Sequence, residues 1–514
     1  MALLALPRRL GRGAGLLPHR HGHDRQRAGH GLLPAGAGAG EVPRRRDRLR
    51  LRLRPRDDHA LPAGLRLALR RARPHERHPG HGRALHPHRP GLFLLQPPLR
   101  RPEDARGRRP LGRLSLKALR SFKERDFRLF FSGQFVSMTG TWMQMTAQVW
   151  LVYRLTESSF MLGLTGFAGQ VPVLLFALFG GALADRCDRR RLLLWTQAFS
   201  LLQATLLAVL TLSGTVQISH ILALAFMLGT INAFDVPARQ SFLVEIVEHE
   251  DLPNAIALNS TLVNSSRMVG PALAGWLIEG WGEGACFALN AASFLAVLWS
   301  LWAIRPRPSR PRQHEPALDS IRRGLSYAAS HPRMRAALLL VAGVSLFGMP
   351  YNLLLPVFAK EVLHGGAQTL GWLAAATGLG AVAGALSLAR REGTAGLERT
   401  IGLSAVGFGL GLGLFSRAQS LPAALLLMAA CGWAVMHVIA GTNTLLQSLT
   451  SDEMRGRVMS LFTMVFFGMF PFGSLLIGAA AKRFGAPSAV LGAGLACMAC
   501  GAWHLAAEKE APQG

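Results

Sequence analysis

Acid is what this chain has least of. Its 514 residues include 29 aspartates and glutamates against 57 lysines and arginines, a formal net charge of +28. Histidines and acids nowhere cluster as the site of a membrane-embedded enzyme requires, so an enzyme is disfavoured and no catalytic residue or cofactor is expected. A phosphate-cradling Gly-x-x-x-x-Gly-Lys loop is also absent, which speaks against an ATP-driven pump. Cysteine is scarce, with five residues. Cys187 falls in a loop, and Cys286, Cys431, Cys497 and Cys500 fall in apolar runs. Cys497 and Cys500 have the spacing of a redox or metal pair, but they lack His or acidic neighbours and read as small buried residues; no metal site is expected.

The N-terminal region lacks more. Up to Leu114 there is no Ser, Thr, Asn, Lys, Ile, Cys, Tyr or Trp, and the segment cycles through Arg, His, Pro, Gly, Ala and Leu. Residues 1–116 hold 27 arginines against 8 acids, and so +19 of the net charge. A basic arm for nucleic acid or anionic lipid normally mixes Lys with Arg and carries some Ser, so no nucleic-acid partner is expected. The segment reads as a disordered Arg/His/Pro-rich extension. Its blandest origin is a GC-rich upstream region read in a frame not normally translated, with the start near Leu114; a natural disordered tail and a functional arm stay open. Met1 to Leu6 is too short an apolar stretch for a signal peptide.

What is present, from Phe127 onward, is a series of apolar runs near twenty residues long. That is the length a helix needs to cross a hydrocarbon core of about 30 Å. Twelve spans are expected, at 127–153, 160–184, 192–212, 219–238, 256–279, 284–304, 336–358, 369–389, 400–416, 421–442, 457–481 and 486–507. The chain is therefore expected to be an all-α integral membrane protein, with the lipid bilayer as its surroundings. The division is an N-terminal six-helix bundle (117–304), a cytoplasmic central loop (305–335), a C-terminal six-helix bundle (336–507) and a cytoplasmic tail (508–514). Orientation follows from the loops. One side holds Arg186, Arg189, Arg190, Arg191, Arg239 and the arginines of 305–335, then Arg390, Arg391, Arg399, Arg455 and Arg457; the other holds Arg154, Lys360, Arg417, Lys482 and Arg483. The positive-inside rule places the first set, and both termini, in the cytoplasm of a cell inner (plasma) membrane protein.

The halves echo each other at an offset of 203: Gly181-Ala182-Leu183 recurs as Gly384-Ala385-Leu386, Gly270 meets Gly473, and Gly275 meets Gly478. Two parallel six-helix pseudo-repeats place a substrate site near the midplane between them.

The sharpest motif runs from Gly180 to Arg191, between spans two and three. It resembles the Gly-x-Leu-x-Asp-Arg-x-Gly-Arg-Arg loop of the major facilitator superfamily. Gly181, Leu183, Asp185, Arg186, Arg189 and Arg190 match, while Asp188 replaces the second glycine. Gly181 is expected to let two helices approach, and Asp185 to cap a helix and pair with arginines as a cytoplasmic gate. Ala233 to Gln240 and Asp452 to Ser460 resemble the branch that includes the enterobactin (siderophore) exporter and multidrug efflux proteins. The resemblance covers roughly 117–505. It implies a proton-driven exporter of an amphipathic small molecule, a drug or a siderophore, acting by alternating access and as a monomer; an importer of the same fold is the alternative. It also implies a charge relay that joins Asp235 to the Asp185 loop, with Arg239 and Arg267 as its coupling partners; an ordinary helix-end Asp235–Arg239 ion pair is the plain reading.

Span five carries Ser266 to Gly275, similar to the antiporter motif at Gly270, Pro271 and Gly275, with Ser266 in place of its opening glycine. Arg267 either faces a cavity, where it senses an anionic substrate or tunes a carboxylate, or snorkels to the inner surface. Candidate cavity residues are Gln144, Gln148, Asn232, Tyr351, Asn352, His437 and Asn443, each of which also suits helix bridging. His437 fits a satisfied core histidine better than a proton carrier. Pro350 and Pro356 mark span seven as a flexing helix.

Overall fold

The computed structural model describes residues 120–510 apart from 249, 305–316 and 392. The expected extension over 1–116 and the last four residues of the tail lie outside the described residues. Each apolar run forms a helix, because in lipid a backbone must satisfy its own N–H and C=O groups. The helices are α1 (Arg125–Thr156), α2 (Ser159–Arg186), α3 (Arg189–Leu212), α4 (Ile218–Ile246), α5 (Leu252–Trp281) and α6 (Glu283–Ala303). After them come α7 (Ala317–Ser330), α8 (Pro332–Val362), α9 (Ala367–Ala389), α10 (Leu397–Phe415), α11 (Leu421–Leu449), α12 (Asp452–Phe484) and α13 (Ala486–Glu510).

A helix stands at every one of the twelve expected spans. Among the described residues nine of them are long and apolar enough to cross a membrane. The other three are α1, α5 and α10. Buried Gln134, Gln144 and Gln148 dilute α1, the central polar run of α5 includes Asn264 and Arg267, and α10 is short and glycine-rich. The three α1 glutamines are buried, and most α10 glycines face other helices.

One expectation is corrected. The segment 305–335 is not all loop: α7 occupies 317–330, with Gly324 and Ala328 turned inward one turn apart and Arg322, Arg323 and Leu325 exposed. A Cβ at Gly324 would lie 3.1 Å from the Arg457 carbonyl oxygen, so α7 packs tightly on the start of α12. An amphipathic helix of fourteen residues is too short and too charged to register as a span.

The chain forms two six-helix bundles. In the first, α1 packs on α5 and α6, α3 on α4 and α6, and α2 on α4. In the second, α9 packs on α11, α10 on α11 and α13, and α8 on α12 and α13. Two seams join the bundles, α2 against α12 and α5 against α9. The 203-residue echo is structural. Gly270 abuts α1 at Trp142 and Thr139, and Gly473 abuts α8 at Leu346 and Pro350. A Cβ on Gly275 would lie 2.9 Å from the Gln368 Cα of α9, and one on Gly478 would lie 3.0 Å from the Gly163 Cα of α2. The tight turns after α5 and α12 repeat as well, each made by a glycine with positive φ: Gly282 at 79° and Gly485 at 83°.

Span seven is irregular. Within α8 the α-helix of Pro332–Gly343 gives way to a π turn at Val344–Gly348, a 3-10 stretch at Met349–Leu354 and a second π turn at Phe358–Val362. Pro350 and Pro356 each lack an N–H, so the regular ladder cannot run through.

Candidate functional site

The loop motif is held by backbone caps and ion pairs. Asp188 is the N-cap of α3 and accepts from the Arg191 N–H at 3.2 Å, so the residue that departs from the motif has a local structural purpose. Arg190 donates to the carbonyls of Leu301 at 2.6 Å and Trp302 at 2.7 Å, satisfying the end of α6. Arg189 pairs with Glu245 of α4. Asp185 is half-buried on the last turn of α2, and Arg186 is exposed. The close helix approach lies one residue from where it was expected. A Cβ at Gly181 would meet open space, whereas one at Gly180 would collide with the Ala233 carbonyl and lie 3.0 Å from the Phe234 Cα. Gly180 is therefore the residue that brings α2 onto α4, just beside Asp235.

Asp235 is buried, at 3% exposure, and its carboxylate is fully engaged. Oδ1 accepts from Thr196 Oγ1 at 2.7 Å and Gln197 Nε2 at 2.8 Å, and Oδ2 faces Arg239 at 3.2 Å. Arg239 also donates to Gln134 Oε1 at 3.3 Å. The ion pair one turn apart is thus the centre of a network that ties α1, α3 and α4 at one end of the first bundle.

On α5, Gly270 and Gly275 supply the two close approaches just described, and the Pro271 carbonyl oxygen lies 2.6 Å from where a Cβ on Gly371 of α9 would stand. Arg267 is the sixteenth of thirty residues in α5, roughly 22 Å from the helix start. The helix begins earlier than its apolar pattern indicates, so Arg267 stands about four turns in rather than within the first three. The guanidinium lies over the Trp142 ring, 5.6 Å from its centroid.

The cavity candidates divide. Gln144 accepts from Asn290 at 2.8 Å and donates to Gln203 at 3.0 Å, bridging α1, α3 and α6 inside the first bundle. His437 has one ring nitrogen 3.0 Å from Ser387 Oγ and the other 3.0 Å from the Trp433 carbonyl, which makes it a helix bridge. Asn443 pairs with Gln447 one turn away. Gln148 is buried, and Asn232 is half-buried. Tyr351 is buried with its hydroxyl 3.4 Å from Thr377, and Asn352 donates to the Met349 carbonyl within the 3-10 stretch of α8. Cys497 and Cys500 are free thiols packed on Gly348 and Gly343 of α8.

A second polar group joins the bundles at the end opposite the arginine-rich loops. Lys360 Nζ of α8 lies 2.8 Å from Glu157 Oε1, and the Tyr153 hydroxyl donates to Glu361. Lys360 beside it holds the exposed Glu157 carboxyl below its ordinary range. Arg154 pairs with Glu283 at 2.7 Å. Sequence reasoning placed Arg154 and Lys360 on this side but missed their partners, because the paired residues stand 129 to 208 positions apart, where no local pattern marks a partner.

Residues 117–511 match the family described as transmembrane secretion effector. The chain belongs to that family, a branch of the major facilitator superfamily. The chain is 28% identical over 361 residues to the staphyloferrin A transporter of Staphylococcus aureus, covering 69% of this chain and 89% of that one. It is 24% identical to the multidrug efflux pump Tap of Mycolicibacterium fortuitum, covering 70% and 90%, and 25% identical to the enterobactin exporter EntS of Escherichia coli, covering 66% and 80%. Its fold matches the nucleoside transporter NupG at a TM-score of 0.59 and 13% identity, covering 75% of this chain and 99% of that one. A bacterial homologue of Spinster in an inward-facing, unoccupied conformation gives 0.55 at 16% identity, covering 74% and 95%. The protein is a multi-span membrane transporter of small molecules, not an enzyme.

Proposed function

We propose that this transporter exports an amphipathic small molecule, a siderophore or a drug, from the cytoplasm by alternating access driven by protons. The two bundles act as rocking bodies in an inner membrane protein that works as a monomer with cytoplasmic termini. The observation that carries the reading is the placement of the contacts between bundles. The glycine seams at Gly163 with Gly478 and Gly275 with Gly371, and the Glu157–Lys360 pair, all lie toward the end away from the arginine-rich loops. With those loops cytoplasmic, the outer end is closed, the state in which a transporter working by alternating access exchanges cargo with the cytoplasm. The names of the relatives support export of this class of cargo. Asp235 is the coupling carboxylate in this reading: its protonation would release Arg239 and loosen the ties to α1 and α3.

The test is movement of fluorescent lipophilic substrates in inverted vesicles, with and without a pH gradient. Gradient-dependent accumulation that Asp235→Asn abolishes is the expected result. Movement indifferent to the gradient would overturn proton coupling, and movement only out of inverted vesicles would reverse the direction.

A further inference from the structure

We infer that Arg267, with Trp142 and Tyr351, forms a carboxylate-binding subsite at the midplane between the two bundles, so that the cargo is an anion with an apolar or aromatic body. This deepens the export reading and rests on it for the route of transport, though not for the binding itself.

The neighbours of Arg267 on α5 set its direction. Ser266 accepts from Thr139 of α1 at 3.2 Å, and Gly270 is closed against Trp142 and Thr139 of the same helix. On another face, the Met268 Cα lies 2.8 Å from where a Cβ on Gly378 of α9 would stand, and Gly275 faces α9 too. Arg267 lies a third of a turn from each of its neighbours and so falls between α1 and α9, one from each bundle. Tyr351 of α8 reaches the same stretch of α9, its hydroxyl 3.4 Å from Thr377, the neighbour of the Gly378 that faces Met268. The site is therefore built from both bundles, as a site that feels their relative motion must be.

Its charge is not neutralised by the protein. Among the described residues Arg267 takes part in no ion pair and no hydrogen bond. Asp235 of α4, by contrast, has Arg239. A guanidinium without an acid is costly in a membrane interior and marks a ligand path. Its face is occupied by the Trp142 ring, which leaves the N–H edge free for the bidentate grip that a planar fork gives a carboxylate. Tyr351 adds a buried hydroxyl beside Thr377.

The route to it is also on α5. Asn264, Ser260 and Ile256 precede Arg267 by three, seven and eleven residues and share its face. Ser260 is exposed, Ile256 is 50% exposed, and Asn264 is half-buried with its amide on the Ser260 carbonyl. That partly polar strip runs from the helix start to the guanidinium.

Binding of citrate and 2-naphthoate to the purified full-length protein, each against its methyl ester, tests the subsite by titration calorimetry. The acids are expected to bind and the esters to bind far more weakly. Arg267→Gln should weaken the acids roughly tenfold to a hundredfold, and Arg267→Lys, which keeps the charge and loses the fork, should fall between. Unliganded thermal midpoints show whether the Gln variant is folded; if it is not, the Lys variant and the acid–ester preference of the wild type decide. Equal binding of acid and ester, no binding of either, or wild-type affinity in a folded Arg267→Gln would overturn the proposal. Dye efflux measured on the same preparation separates the two readings. Efflux without carboxylate preference removes the subsite alone, and carboxylate preference without efflux removes the export reading alone.

Discussion

Asp235 and Gly180 meet at one point of the first bundle, and single substitutions there separate packing from charge. A methyl at Gly180 collides with the Ala233 carbonyl, and backbone cannot yield as a flexible side chain does. Gly180→Ala is therefore expected to destabilise the protein by about 2 kcal/mol, whereas Gly181→Ala, facing open space, should leave the thermal midpoint in detergent unchanged. Equal midpoints for the two would refute the assignment. Thr196→Val removes one donor to Asp235 but leaves Gln197 and Arg239 in place, so it should cost about 1 kcal/mol. Asp235→Asn leaves the Arg239 guanidinium, itself only partly exposed, without its counter-charge, and should cost about 3 kcal/mol. If the network is only a structural tie, Thr196→Val and Asp235→Asn will slow transport in proportion to their instability. A coupling role predicts loss of gradient-driven transport in Asp235→Asn beyond what its midpoint explains.

The irregular middle of α8 is where an element, rather than a residue, decides behaviour. Two prolines and two π turns leave Val344–Val362 with a broken hydrogen-bond ladder, yet the segment is packed against α12 and α13. Replacing Pro350 by Ala restores a donor and is expected to regularise the helix, slow transport several-fold and reduce amide exchange across 344–354. Faster exchange there, or unchanged turnover, would count against a flexing role. The prolines made this segment legible in the sequence, as did the apolar runs for the twelve spans and the paired glycines for the repeat. Other features were hidden for physical reasons. Gln144 looks like a cavity residue until Gln203 and Asn290, from helices far along the chain, are seen to consume its amide. Arg267 looked close to a surface because the polar start of α5, Leu252 to Asn254, carries no apolar signal though it is helical. Gly180 and Gly181 are indistinguishable as letters; only the rotation of α2 against α4 tells which one is in contact.

At the scale of the whole molecule, the two seams and the polar contacts beside them form one closure. The closest approaches in the seams are glycine against backbone, which allows sliding, and the Glu157–Lys360 and Tyr153–Glu361 contacts add polar ties at one end. Both members of the first pair are substantially exposed, and such a pair contributes little energy by itself. Because Lys360 lowers the Glu157 carboxyl, the pair is present above the ordinary carboxylate range and is lost only as pH falls through the lowered value. Closure should therefore be insensitive to pH near neutrality, and any proton-linked opening must act elsewhere, as at Asp235. Joining the two positions covalently tests this picture directly. In a background without the native cysteines, Glu157→Cys with Lys360→Cys should cross-link readily under oxidant. The cross-linked protein should lose turnover and keep Ser260→Cys open to a hydrophilic maleimide from the arginine-rich side, and reductant should restore both motion and transport. Full turnover with the outer ends tied would mean that the seams do not open during transport, and the rocking of two bundles would have to be abandoned.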